Sequence, residues 1–251
     1  MGERTSHAPG TFSWADLGTS DADGAKAFYG GLLGWEFEDM PIPDSPPYSM
    51  ATIGGRTVAA LYGKRDEQAP SAWLSYVTVE DADATAARAA ELGASVISEP
   101  FDVMEAGRMA VLQDPTGAVF AVWQPRASIG AQLVNDVGAM CLNQLNTGDP
   151  DAAQSFYGSL FGWSFQGVES AGQSYWGITN GERLNGGMMQ STPANWLAYF
   201  TSADVDTSAA KVTELGGKVI VAPSPVPGGR IAVAADPQGA VFAFVEGRMD
   251  D

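Results

Sequence analysis

The segment Phe28-Tyr-Gly-Gly-Leu-Leu-Gly-Trp35 returns as Phe156-Tyr-Gly-Ser-Leu-Phe-Gly-Trp163, identical at six of eight positions and displaced by 128 residues. That displacement is about half of the 251-residue chain, so the sequence reads as two copies of one design. Each copy has the marks of a helix end. Phe28 and Leu32, four apart, share a helix face. A glycine follows as a left-handed cap, and a tryptophan opens the next strand. Phe28, Leu32 and Trp35 are therefore read as scaffold, docking a helix on the outer face of a sheet.

Around each octapeptide the same order recurs: strand, Asp-x-Asp, helix, glycine. Asp pairs begin at Asp21, Asp81, Asp149 and Asp204. Aspartates ahead of an apolar helical run cap the first free N–H groups, so helices are expected over Ala25 to Leu33, Ala84 to Leu92, Ala152 to Leu160 and Ser208 to Leu215. Alternating runs predict strands at Thr11 to Thr19, Tyr48 to Ile53, Arg56 to Tyr62, Ala72 to Val79, Arg108 to Gln113, Val119 to Trp123, Ala139 to Thr147, Trp196 to Phe200 and Val241 to Val245. Gly54-Gly55, Asn180-Gly181 and Gly186-Gly187 read as turns, as do Asp114-Pro-Thr-Gly117 and Asp236-Pro-Gln-Gly239. Pro41 to Pro47 reads as a proline-rich loop able to cover a site as a lid. The expected architecture is α+β, four βαβββ modules in two domains, 1–127 and 137–251, with a linker about 126–136.

Composition narrows the chemistry. A formal net charge of −17 argues against nucleic acid or an anionic membrane as partner. One histidine, His7, lies in a polar N-terminal tail read as disordered, which leaves no His-based metal triad, Ser-His-Asp relay or Cys-His dyad. One cysteine, Cys141, allows no internal disulfide and reads as a small buried hydrophobe. The absence of a secretory signal in Met1 to Gly10 and of any run near the ~20 apolar residues of a span suits a soluble protein of a reducing cytoplasm.

The order strand, Asp, Phe-Tyr seven residues on, Leu-x-Gly-Trp, then Asp-Pro-x-Gly and an apolar strand, resembles the vicinal oxygen chelate superfamily. That group includes glyoxalase I, bleomycin-resistance proteins and extradiol dioxygenases. The look is that of its tandem-domain branch of glyoxalase-like and hydroxylase-type proteins. The resemblance implies that paired modules curl into an eight-stranded cup, with helices outside and the ligand inside. It also implies where metal-using members keep their ligands. Those places hold Trp14, Leu74, Ala121 and a residue near Ala60 in the first half. In the second they hold Leu142, Leu197, Ala243 and Gly187 or Met188. None offers the N, O or S⁻ donor that a divalent cation requires. No metal and no other cofactor is expected.

Strand parity then says which side chains share the inner faces. In the first half these are Trp14, Asp16, Leu74, Tyr76, Ala121 and Trp123, with Val58 and Tyr62 flanking Ala60. In the second they are Leu142, Gln144, Asn146, Leu197, Tyr199, Ala243 and Val245. Mostly apolar and aromatic, they suit a flat hydrophobic ligand. Asp16 is unusual in a strand interior, and a carboxyl among apolar walls has a raised pKa suited to acid–base work. Tyr76 would donate a hydrogen bond. The second half has Gln144 at the matching place, so any chemistry should favour the first cup. Arg108 and Arg230, each after a glycine, are expected to meet an anionic ligand group or local carboxylates. The leading expectation is metal-independent binding of a small hydrophobic, aromatic molecule by a monomer or homodimer. The alternative is a metal-free hydroxylase, lyase or isomerase using Asp16 and Tyr76. A third reading is a metalloenzyme with unfamiliar carboxylate ligands.

Overall fold

A computed structural model describes residues 2–43, 45–170 and 173–247. The first half runs β1 (Phe12–Thr19), α1 (Ala22–Leu33), β2 (Glu36–Ile42), β3 (Ser45–Ile53), β4 (Arg56–Gly63), β5 (Ala72–Thr78), α2 (Ala82–Glu91), β6 (Ser95–Val103), β7 (Gly107–Gln113) and β8 (Val119–Pro125). The second repeats it as β9 (Met140–Thr147), α3 (Pro150–Phe161), β10 (Ser164–Ser170), β11 (Gln173–Asn180), β12 (Arg183–Gln190), β13 (Asn195–Thr201), α4 (Val205–Glu214), β14 (Lys218–Val226), β15 (Gly229–Ala235) and β16 (Val241–Gly247). Among the described residues the strands form two eight-stranded sheets, ordered β2-β3-β4-β1-β5-β8-β7-β6 and β10-β11-β12-β9-β13-β16-β15-β14. Each sheet is built from consecutive modules, joined in the middle by an antiparallel pair, β1 with β5 and β9 with β13.

The Asp-x-Asp pairs act as helix caps, as their spacing predicts. The first aspartate of each pair accepts the N–H three residues on: Asp21 from Gly24 at 3.0 Å, Asp81 from Ala84 at 2.9 Å, Asp149 from Ala152 at 3.1 Å and Asp204 from Thr207 at 2.6 Å. Each helix starts at the residue after its cap, earlier than the apolar periodicity alone suggests. At the other end of α1 and α3, Gly34 and Gly162 take φ of 73° and 74°. A side chain there would cost about 1–2 kcal/mol, which explains the glycine in both octapeptides.

The tyrosine of each octapeptide reaches into the other half. Tyr29 donates to Asp236 Oδ2 at 3.1 Å and Tyr157 donates to Asp114 Oδ2 at 2.9 Å. Trp73 and Trp196 donate in turn to the two tyrosine oxygens, at 3.0 and 2.8 Å. Oδ1 of each aspartate stays in its own Asp-Pro-x-Gly turn, accepting backbone N–H groups of Thr116 and Ala118 or of Gln238 and Ala240. The helices thus lie on the outer faces of the sheets, as expected. Those outer faces pack on each other, and one buried core runs from Phe12 and Trp73 to Phe200 and Phe244. Tyr157→Phe is expected to lower the unfolding free energy by about 1–3 kcal/mol, because a buried carboxylate oxygen and the Trp196 N–H lose their partner. An unchanged urea midpoint would show that this bond does not hold the halves together.

Three expectations need correction. The N-terminal segment is not a disordered tail. Arg4 N–H donates to Gln132 O, Val134 N–H to Gly2 O, and half-buried His7 donates through Nε2 to Ala131 O at 2.8 Å. The imidazole pKa is lowered, chiefly by burial. Pro41 to Pro47 is mostly strand: β2 continues to Ile42 and β3 begins at Ser45, paired with each other. Asp44 lies outside the described residues. Gly186 and Gly187 sit inside β12, paired with Ile178 and Gly177, and make no turn. In the segment that joins the two sheets, Ala131, Leu133 and Val134 are buried.

Candidate functional site

The inner face of the first sheet is built around β1. Its register places Trp14 opposite Tyr76 and Asp16 opposite Leu74 on one side, and Asp16 beside Ala60 of β4 on the other. Tyr76 adjoins Ala121 and Thr78 adjoins Trp123 across β5 and β8. Trp14, Ala60, Tyr76, Met109, Ala121 and Trp123 form one buried cluster, with Leu74 packed against it. The period-two rule therefore holds for these expected cup residues. Val58 is the exception. A bulge pairs Ala51 with Ala59 and Thr52 with Thr57, so Val58 turns away into the core between the halves.

Asp16 is 3% exposed. Its Oδ2 accepts two phenol hydroxyls, from Tyr76 at 2.8 Å and from Tyr48 at 2.9 Å, while Trp14 Nε1 donates to the Tyr48 oxygen at 2.9 Å. Oδ1 is buried with no hydrogen-bond partner among the described residues. Burial pushes the Asp16 pKa up to about 6, even though the two tyrosine hydrogen bonds pull it down. The carboxylate in turn raises the hydroxyl pKa of Tyr62, whose ring stacks on Tyr48 with centroids 6.0 Å apart. The result is one carboxyl that titrates near neutrality, held by two phenols in an aromatic wall. Such a group can take or give a proton, or accept a hydrogen bond from a ligand.

Sequence reasoning missed Tyr48 as a partner of Asp16, and Met109, Ala131 and Val134 as wall residues. Met109 was within reach, since the β7–β8 hairpin sets it opposite Trp123. Tyr48 was expected in a strand, but its pairing with Tyr62, which sets it beside Asp16, depends on the β3–β4 register.

Two family models match in tandem. "Glyoxalase/Bleomycin resistance protein/Dioxygenase superfamily" covers residues 11–122 and "Glyoxalase-like domain" covers 139–245. "Putative glyoxylase CFP32" of Mycobacterium tuberculosis is 40% identical over 98% of both chains. The chain belongs to the glyoxalase/bleomycin resistance protein/dioxygenase superfamily. "Anthracycline biosynthesis protein DnrV" of Streptomyces peucetius is 33% identical, over 96% of this chain and 95% of that protein. Among solved structures, the 2,3-dioxygenase LapB from Pseudomonas sp. KL28 shares the fold, with a TM-score of 0.69 at 13% identity over 96% of this chain and 94% of that one.

Metal-using members of the superfamily need oxygen, nitrogen or thiolate donors at their ligand places. The structure brings Trp14, Ala60, Leu74 and Ala121 together in the first cup, and none carries a donor for a divalent cation. These residues do not fit the superfamily's metal. Nor do described His, Cys, Asp or Glu side chains gather in threes anywhere else.

The second cup carries the same frame with neutral groups. Leu142, Leu197, Tyr199, Ala243 and Val245 form its wall. Tyr199 donates to Gln144 Oε1 at 2.9 Å, Gln144 Nε2 to Asn146 Oδ1 at 2.9 Å, and Asn146 Nδ2 to Asn195 Oδ1 at 3.1 Å. An amide ladder stands where the first cup has its carboxyl, and it holds no proton to exchange. Cys141, packed against this wall, has its thiol pKa pushed up to about 12 by burial, which leaves it a poor nucleophile. Arg108 and Arg230 meet local carboxylates. Arg108 bridges Asp83 and Asp102, and Arg230 pairs with Asp206, all on the surface.

Proposed function

We propose that this superfamily member binds a small hydrophobic, aromatic molecule without a metal, with the first cup as the working site. The observation that carries this reading is Asp16: a buried carboxyl anchored by Tyr76 and Tyr48, with Oδ1 without a hydrogen-bond partner among the described residues, inside an aromatic wall. Trp14, Tyr62, Leu74, Ala121 and Trp123 would hold the faces and edges of the ligand, and a hydroxyl or N–H on the ligand would meet Asp16. Leu142, Gln144, Leu197, Tyr199 and Ala243 would line a second, non-titrating cup. The likeness to a relative named for anthracycline biosynthesis supports a small organic ligand. Trp14, Tyr76 and Trp123 are at most 8% exposed, so a ligand would enter only where side chains of this wall give way.

The Asp16 pKa of about 6 favours a second reading on the same site. With Tyr76 holding it in place, Asp16 would act as general base and acid in a metal-free hydroxylase, lyase or isomerase. Native mass spectrometry and metal analysis of protein purified from its host test both. A co-purifying aromatic molecule with no stoichiometric cation is the expected result. A stoichiometric divalent cation would overturn the metal-free reading.

A further inference from the structure

The two cups present opposite hydrogen-bonding groups. In the first, most donors are already engaged. Tyr76 and Tyr48 donate to Asp16, Trp14 Nε1 to the Tyr48 oxygen and Trp123 Nε1 to Ser128 O. What stays open, beside the Tyr62 hydroxyl, is an acceptor, Asp16 Oδ1. In the second cup the acceptors are engaged instead. Gln144 Oε1 takes Tyr199, Asn146 Oδ1 takes Gln144, and Asn195 Oδ1 takes Asn146. A side-chain amide nitrogen carries two hydrogens. Gln144 and Asn146 use one each, and the Asn195 nitrogen makes no bond among the described residues. The ladder therefore runs in one direction and leaves surplus donors.

Tyr175 adds a further donor. It stands in the second sheet where Tyr48 stands in the first: Tyr48 pairs with Tyr62 across β3 and β4, and Tyr175 with Met189 across β11 and β12. With no carboxylate to meet, its hydroxyl has no hydrogen-bond partner among the described residues. It lies over β12, where a side chain on Gly187 would collide with it, and Gly187 pairs with Gln144. The phenol thus points to the head of the amide ladder, and a glycine permits that close approach. Burial raises the Tyr175 pKa, so the proton stays on the oxygen at neutral pH.

The second cup is also the more open. Leu142 and Val245 replace Trp14 and Trp123. The first wall takes in Ala131 and Val134 of the joining segment, and the second has no such addition. Leu142 and Ile231 are part-exposed, where their counterparts Trp14 and Met109 are buried.

We propose that the second cup is a separate binding site for a small aryl ketone. The ketone oxygen accepts from Tyr175 and from the open N–H of Gln144, and the ring lies on Leu142, Leu197 and Ile231. A molecule of the same shape without that oxygen leaves the donors unpaired and binds less well. The inference rests on the reading of the inner faces as ligand cups, and gives the two cups ligands of opposite hydrogen-bonding character.

The test is titration of the full chain with 1-tetralone, which only accepts hydrogen bonds, with 1-naphthol, which donates one, and with naphthalene, which does neither. Amide NMR shifts locate each probe and calorimetry gives its affinity. 1-Tetralone is expected to shift residues 142–146 and 195–199 and to bind more tightly than naphthalene. Tyr175→Phe removes a hydroxyl that has no protein partner, so the fold is kept, and it should weaken 1-tetralone binding about fivefold. No shifts in the second cup, naphthalene binding as tightly as 1-tetralone, or an unchanged affinity in Tyr175→Phe would each overturn the proposal. The first cup is read out separately, by 1-naphthol shifts at 14–16 and 74–76. Their absence, with 1-tetralone still bound in the second cup, would strike the first-cup reading and uphold this one.

Discussion

Trp35→Ala is expected to lower the unfolding free energy by about 3–5 kcal/mol, the range for truncating a buried aromatic in a packed core. Trp35 is 4% exposed. It stacks on Tyr29 at 5.5 Å and meets Trp73 and Phe200 edge-on at 6.0 and 5.4 Å. Its indole N–H donates to Gly138 O at 2.9 Å, in the segment that leads into the second sheet. Trp163 does the same to Gly10 O at 2.8 Å, so the two tryptophans tie each half to the approach of the other. The loss therefore combines a cavity, two edge contacts and an unpaired buried carbonyl. Urea denaturation followed by circular dichroism would measure it. A loss below about 1 kcal/mol would mean that the site collapses freely and that the octapeptide is not the joint between halves.

The second large effect is expected from Asp16→Asn, and it runs in the opposite direction. Burial pushes the Asp16 pKa up to about 6 in the folded chain, against an ordinary value of 3.8. A raised carboxyl pKa means that the folded state binds more protons than the unfolded state between about pH 4 and pH 6. Stability from this group is therefore highest below that window, falls as pH rises through it, and stays low above it. A gap of about two units corresponds to about 3 kcal/mol at pH 7. Asparagine has no proton to lose and its Oδ1 can still accept from Tyr48 and Tyr76. The variant should be more stable than the parent by up to about 3 kcal/mol at pH 7.5, and the difference should vanish near pH 4. Paired denaturation curves at the two pH values would isolate Asp16 from other titrating groups. A variant no more stable than the parent at pH 7.5 would show that the carboxylate is not strained by burial. A stable but impaired protein would fit a buried acid kept for function.

Parts of this were legible beforehand because they rest on local rules. Four Asp-x-Asp pairs became four caps, since a carboxylate has little choice but the N–H groups two and three residues ahead. Trp14, Asp16, Leu74, Tyr76, Ala121 and Trp123 came to one face, since side chains alternate along a strand wherever pairing is regular. Val58 failed because a bulge breaks the alternation, and a bulge carries no fixed sequence mark. Tyr48 lies in an expected strand, but the β3–β4 register that pairs it with Tyr62 and brings it to Asp16 carries no local sequence mark.

The sequence by itself determined the repeat, the module order, and the caps and turns. All of these are decided within a few residues, by hydrogen bonds and steric preferences of short reach. Only the tertiary structure decided that the tyrosine of each octapeptide bonds the Asp-Pro-x-Gly turn of the other half, 207 residues away for Tyr29 and Asp236. It alone decided that Asp16 holds two phenols on one oxygen, and that the joining segment hydrogen-bonds to Ser13 of β1 and Thr57 of β4. Those outcomes follow from how two outer faces pack. That packing is driven by burial of apolar area, a force without direction, which sets which distant polar groups end up facing each other.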